Sequence, residues 1–191
     1  AGRIEREPVT KPWMNLHLHT FHSFNCNDWS PSRVVFEAWR IGLRYAGTVD
    51  FDTLAALAET RAAGAALGVP TVGGFESRVF LPEMKDAVIN SPKEPGIYYL
   101  CGKGFPAPPK PGTPEGAFFA GMQETAQSRN RGVIERLNAF LGEVRLDYGR
   151  DVLPLTPSGN PTERHIVAAY HRVSEKTLGG RVDAFWSGVL G

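Results

Sequence analysis

At 191 residues the chain can fold as one domain with a substantial core, or as one domain carrying an insertion. Its charges nearly cancel, Lys plus Arg at 21 against Asp plus Glu at 20, which leaves no basic track for nucleic acid and no acidic tail. Two cysteines, Cys26 and Cys101, are too few for a disulfide framework and form no CxxC pair, so both read as reduced thiols. No apolar run approaches a membrane span and no signal-peptide pattern opens the chain, so the expectation is a cytoplasmic protein with a small-molecule partner. The first residue is Ala rather than Met, which reads as a processed or trimmed chain.

Residues 1–12 are polar and read as a lead-in. Trp13 to Ser23 reads as a short strand running into a loop. Alternation along a strand puts His17 and His19 on one face and Leu16 and Leu18 on the other. Two imidazoles about 7 Å apart along a strand can converge on one ion, and burying both without a partner is costly. Ser30-Pro31 predicts a capped helix start, Val34, Val35, Ala38, Trp39 and Ile41 follow at helical spacing, and Gly42 ends that helix. Tyr45 to Asp50 reads as a second strand. Asp52 is placed to cap a helix from Thr53 to Leu67 that stops at Gly68. Val69 to Phe75 reads as a third strand delivering Glu76 at its end. Alternating strands and helices of these lengths imply parallel strands with right-handed crossovers. All three strands then end on the edge where α/β barrels and open α/β sheets place their sites.

Beyond residue 80 the pattern changes. Residues 81–117 are rich in proline, with Ile97 to Leu100 as a fourth strand. Gly102-Lys103-Gly104 is too short and poorly framed for a phosphate loop, and Pro106 to Pro111 reads as a stiff surface connection. A long helix is expected from Glu115 to Val144, with an apolar stripe of Ile134, Leu137, Phe140 and Leu141. Asn160-Pro161-Thr162-Glu163 predicts another start, Asn capping and Glu reaching back, for a helix ending near Leu178. Arg164 and His165 fall in its first turn, which favours anions, whereas His171 reads as a surface residue. Residues 181–190 form a last short helix. The expected division is a lead-in at 1–12, an α/β part at 13–105, and a proline-rich connection with a helical segment at 106–191.

Three strand ends thus carry His17 and His19, then Asp50 and Asp52, then Glu76. Imidazoles and a carboxylate suit a divalent zinc, iron or manganese ion. A helix cap fully explains Asp52, and Asp50 either orients a histidine or caps a turn.

The motifs Leu16-His17-Leu18-His19-Thr20-x-x-Ser23, Gly47-Thr48-Val49-Asp50-x-Asp52-Thr53 and Gly73-Gly74-Phe75-Glu76 resemble, in order, the first motifs of the polymerase and histidinol phosphatase (PHP) superfamily of metal-dependent phosphoesterases. The resemblance covers about residues 13–80. It implies a distorted (β/α)7 TIM-like barrel, here incomplete and with a mostly helical insertion, and phosphoester hydrolysis by metal-activated water. It also implies His17, His19 and Glu76 as ligands of the first metal. The motifs depart from the family at Phe51, Asn25 and Tyr98, where further donors are usual, and a closing Asp-x-His motif is missing. One ion is therefore expected in preference to three.

The leading expectation is a phosphoesterase with Asp50 as proton acceptor or partner of a ligand, and with Arg164 and His165 binding a small phosphorylated substrate. The alternatives are a degenerate PHP-like module that binds or supports without catalysis, and a piece of a longer phosphoesterase.

Overall fold

The structure is a computed structural model that describes residues 13–25 and 27–191, so the lead-in and Cys26 lie outside the described residues. The chain divides into two compact units, the first ending at Phe119 and the second running from Ala120 to Gly191.

In the first unit a sheet of four strands is ordered β1 (Met14–Leu18), β2 (Tyr45–Phe51), β3 (Thr71–Phe80), β4 (Ile97–Lys103). Two helices, α1 (Pro31–Arg40) and α2 (Leu57–Leu67), connect the first three strands, which are parallel as such crossovers require. β4 turns back and pairs antiparallel with β3. The result is an α/β half-barrel sheet. Among the described residues it has four strands, not the seven of a complete (β/α)7 barrel.

Local chemistry explains most boundaries. Ser30 Oγ accepts from the Arg33 N–H at 3.2 Å, Pro31 occupies the first helical position, and Gly42 follows α1 at φ +75°. The second helix starts later than expected. Asp52 does not cap it: its backbone is left-handed (φ +54°), its carboxylate accepts from Ser77 Oγ at 2.6 Å, and α2 begins at Leu57 without a side-chain cap. β3 continues past Glu76 to Phe80 because β4 supplies partners along that length, so Glu76 lies mid-strand. Val34, Val35 and Ala38 of α1, Val49 of β2 and Leu57 of α2 are buried in the core. The proline-rich stretch brings Phe105 edge-on to Phe75 at 5.7 Å.

The second unit is helical. The helix α3 (Pro114–Leu141) begins in the first unit and is followed by one wide turn at Tyr148–Val152, then α4 (Glu163–Leu178) and α5 (Val182–Leu190). Ile134, Leu141, Val144, Val152, Ile166 and Tyr170 form its core. Phe140, expected on the apolar stripe, is 73 % exposed. It lies one residue before Leu141, about 100° away around the helix, while Leu141 takes the inward position.

Candidate metal centre

β1 ends at Leu18, so His17 is the last strand residue but one and His19 opens the following loop. Both rings reach the same acceptor on β3: His17 Nε2 lies 3.2 Å and His19 Nε2 3.3 Å from Glu76 Oε2. Glu76 is 7 % exposed. Burial pushes its carboxyl up, but hydrogen bonding and charge from His19 and His17 outweigh this and hold it below the ordinary carboxylate value.

Behind His19 stands a fully buried carboxylate. Asp50 Oδ1 accepts from the Thr20 N–H at 2.7 Å and from Ser23 Oγ at 2.7 Å, and Oδ2 accepts from Thr20 Oγ1 at 2.8 Å. These bonds pull the loop after β1 back onto β2. Ser23 Oγ also lies 3.2 Å from His19 Nδ1. A hydroxyl has a single proton, and Ser23 gives it to Asp50, so the Ser23 oxygen is left to accept from His19 Nδ1–H. Neutral His19 then carries its lone pair on Nε2, facing a carboxylate oxygen. At that separation either a proton on Nε2 or a metal cation joins the two atoms. An ion with 2.0–2.2 Å bonds to tetrahedral N and O donors separates those donors by about 3.3–3.6 Å. The observed 3.2 and 3.3 Å are hydrogen-bond lengths at the short limit of that range, and two imidazoles with a carboxylate are a fitting donor set.

The residues standing where the family motifs carry other donors have structural roles. Phe51 stacks on the His19 ring at 5.0 Å with 16° between planes. Asn25 spends its amide on the loop: Nδ2 donates to the His19 carbonyl at 3.0 Å, and Oδ1 accepts from the Asn27 N–H at 2.9 Å. Tyr98 pairs with Val79, and strand alternation turns it to the opposite face from its neighbour Tyr99.

Cys101 was not among the expected site residues. It is the cross-strand partner of Glu76, and its Sγ lies 3.9 Å from His17 Nδ1. One donor atom each from His17, Glu76 and Cys101 lies within 4.8 Å of the other two. Burial, then the Glu76 carboxylate, pushes the Cys101 thiol up. The signal that finds it is alternation: Tyr99, Cys101 and Lys103 share a face once β4 is carried beyond Leu100.

Beside His17 and His19 lies a cleft of about 360 Å³ whose walls include Asn15, Trp29 and Glu37.

Arg164 and His165 belong to the second unit. Arg164 is exposed. His165 is buried and closes the start of α4, its Nδ1 accepting from the Thr162 N–H at 3.0 Å. Thr162, not Asn160, is the cap, and His165 takes the reaching-back role expected of Glu163. His171 is exposed beside Glu175 at 3.5 Å.

No protein-family model and no curated protein matches the chain. Solved structures do. A candidate metal-dependent phosphoesterase from Bifidobacterium adolescentis superposes with a TM-score of 0.64 at 20 % identity, over 84 % of this chain and 50 % of its own. An amidohydrolase from Chromobacterium violaceum, solved with bound sulfate and no metal, gives 0.61 at 19 % identity, over 86 % of this chain and 50 % of its own. The chain thus spans about half the length of the structures it matches, and the likeness establishes the fold. Among the described residues no helix is long and apolar enough to cross a membrane.

Proposed function

We propose that the first unit belongs to a metal-dependent hydrolase of PHP type that cleaves phosphoester bonds. The observation that carries this is the convergence of His17 Nε2 and His19 Nε2 on one oxygen of Glu76, at 3.2 and 3.3 Å. The two solved structures support the hydrolase class, one described as a metal-dependent phosphoesterase and the other as an amidohydrolase.

In this reading His17, His19 and Glu76 hold a divalent ion, zinc, manganese or iron, which polarises a phosphate oxygen and acidifies a water. His19 keeps its metal-facing lone pair because Ser23 and Asp50 hold the Nδ1 proton. Asp50 works through that proton as a positioning residue. With its two oxygens already accepting from Thr20 and Ser23, it is poorly placed to take a proton from water. A cleft lined by His17 and His19, though not by Glu76, is the proposed seat of a small phosphorylated substrate.

The test is direct. Protein purified without chelator should carry about one equivalent of zinc, manganese or iron and hydrolyse p-nitrophenyl phosphate or its diester, with activity lost in His17→Ala. Metal-free protein that stays inactive when these ions are added sinks the reading. A second reading, a non-catalytic module of the same fold, is favoured by Phe51, whose ring covers His19 where a further donor would stand. Bound metal without turnover of any phosphoester decides for it.

A further inference from the structure

We propose that Cys101 supplies a sulfur donor to the ion held by His17, His19 and Glu76, making the centre a mixed nitrogen, oxygen and sulfur site that selects zinc over manganese. This rests on the metal reading above and adds the residue that determines which metal is held. The antiparallel pairing of β3 with β4 sets Cys101 directly opposite Glu76, and paired residues project to the same face with Cβ atoms about 4.5–5.5 Å apart. Phe51 is likewise the register partner of Glu76 on β2, so three adjacent strands present Phe51, Glu76 and Cys101 side by side. Phe51 closes one flank by stacking on His19, and Cys101 occupies the other beside His17.

The donors are gathered but stand wider apart than in a formed site. A tetrahedral ion with bonds of about 2.0–2.3 Å to N, O and S holds its donors about 3.3–3.6 Å apart. One donor atom each from His17, Glu76 and Cys101 lies within 4.8 Å of the other two; the Cys101 sulfur is 3.9 Å from His17 Nδ1, the ring nitrogen other than the one that faces Glu76. A thiolate is a soft donor that suits zinc and cobalt, whereas manganese and magnesium prefer oxygen.

The metal-free protein, titrated with cobalt(II), reads the donor set directly. Coordination by sulfur gives an intense near-ultraviolet sulfur-to-cobalt charge-transfer band that nitrogen and oxygen donors do not produce. The band is expected in the parent protein and in Cys26→Ser, and is expected to vanish in Cys101→Ser. Cys101→Ser should also weaken zinc binding by about tenfold or more, with a smaller change for manganese. Cobalt that binds without the band, or a band that survives Cys101→Ser, overturns the sulfur donor and leaves the His17, His19 and Glu76 site standing. A protein that binds neither cobalt nor zinc overturns the metal centre itself.

Discussion

The two units bury polar side chains for different ends. In the first, Thr20, Ser23 and Asp50 are buried, and the chain of hydrogen bonds from Asp50 through Ser23 finishes on His19, a ring that faces another functional group. In the second, several polar side chains finish on backbone. Asn130 Nδ2 donates to the Pro161 carbonyl at 2.6 Å. Asn138 accepts from the Leu146 N–H and donates to the Leu146 carbonyl, both at 2.8 Å. His165, the buried histidine of this unit, accepts from Thr162 in a helix cap. A buried histidine is thus a poor marker of a site by itself. What separates His19 from His165 is where the second nitrogen is aimed and what holds the first.

Breaking the support in the first unit should produce the largest effect. Asp50→Ala leaves the Thr20 N–H, the Thr20 hydroxyl and the Ser23 hydroxyl without their buried acceptor. An expected loss of about 3–5 kcal/mol, comparable to removing one side of a buried pair, is measurable by urea unfolding. Next comes the pair His19→Ala and His165→Ala. The first should lower zinc affinity by about 100-fold or more in calorimetric titration. The second should leave affinity unchanged and cost about 1 kcal/mol of stability, the usual worth of a cap. Ser23→Ala spares the ligands and removes the link, so zinc affinity should fall by about tenfold. In the metal-free protein the nitrogen shifts of His19 should at the same time report a mixture of tautomers.

A smaller effect separates the histidines by pH. Burial lowers the pKa of His22 below its ordinary 6.5, against the opposing charges of Asp50 and Glu59. Above about pH 6.5 the ring is neutral in both folded and unfolded chains. Below it the unfolded chain takes up a proton that the folded one resists, so stability falls with pH until the folded pKa is passed. His22→Gln should flatten that part of the curve in pH-dependent unfolding.

Features that depend on a few neighbouring residues were readable in the sequence. Ser30-Pro31 started α1 and Gly42 followed its end, and the alternation of strands and helices gave the parallel pairing of β1, β2 and β3. His17, His19 and Glu76 read as a set because the sequence puts each at or near an expected strand end, and the structure brings both histidines to Glu76 although β3 runs on past it to Phe80. What escaped depended on partners remote in sequence. Asp52 reads as a helix cap until Ser77, on β3, donates to it. Asp50 reads as an acid near the site, yet its role is fixed by three donors in the loop after β1. Cys101 was hidden because Gly102 and Gly104 look like the end of a strand, and only pairing with β3 shows that the strand continues to Lys103.

Gly74 gives the sheet a spacing that no ligand sets. A Cβ built there would stand 2.1 Å from the carbonyl oxygen of Gly102 on β4, a separation no real side chain tolerates. Any larger residue would therefore act as a wedge between β3 and β4. Glu76 lies two residues along the same face, and Cys101 sits opposite it next to Gly102, so the wedge would open the gap between those two side chains. The geometry of the candidate centre is gauged by a residue that contributes nothing to it chemically. Its missing side chain works as a thin shim, letting two strands close to the distance at which their outward groups can share one neighbour.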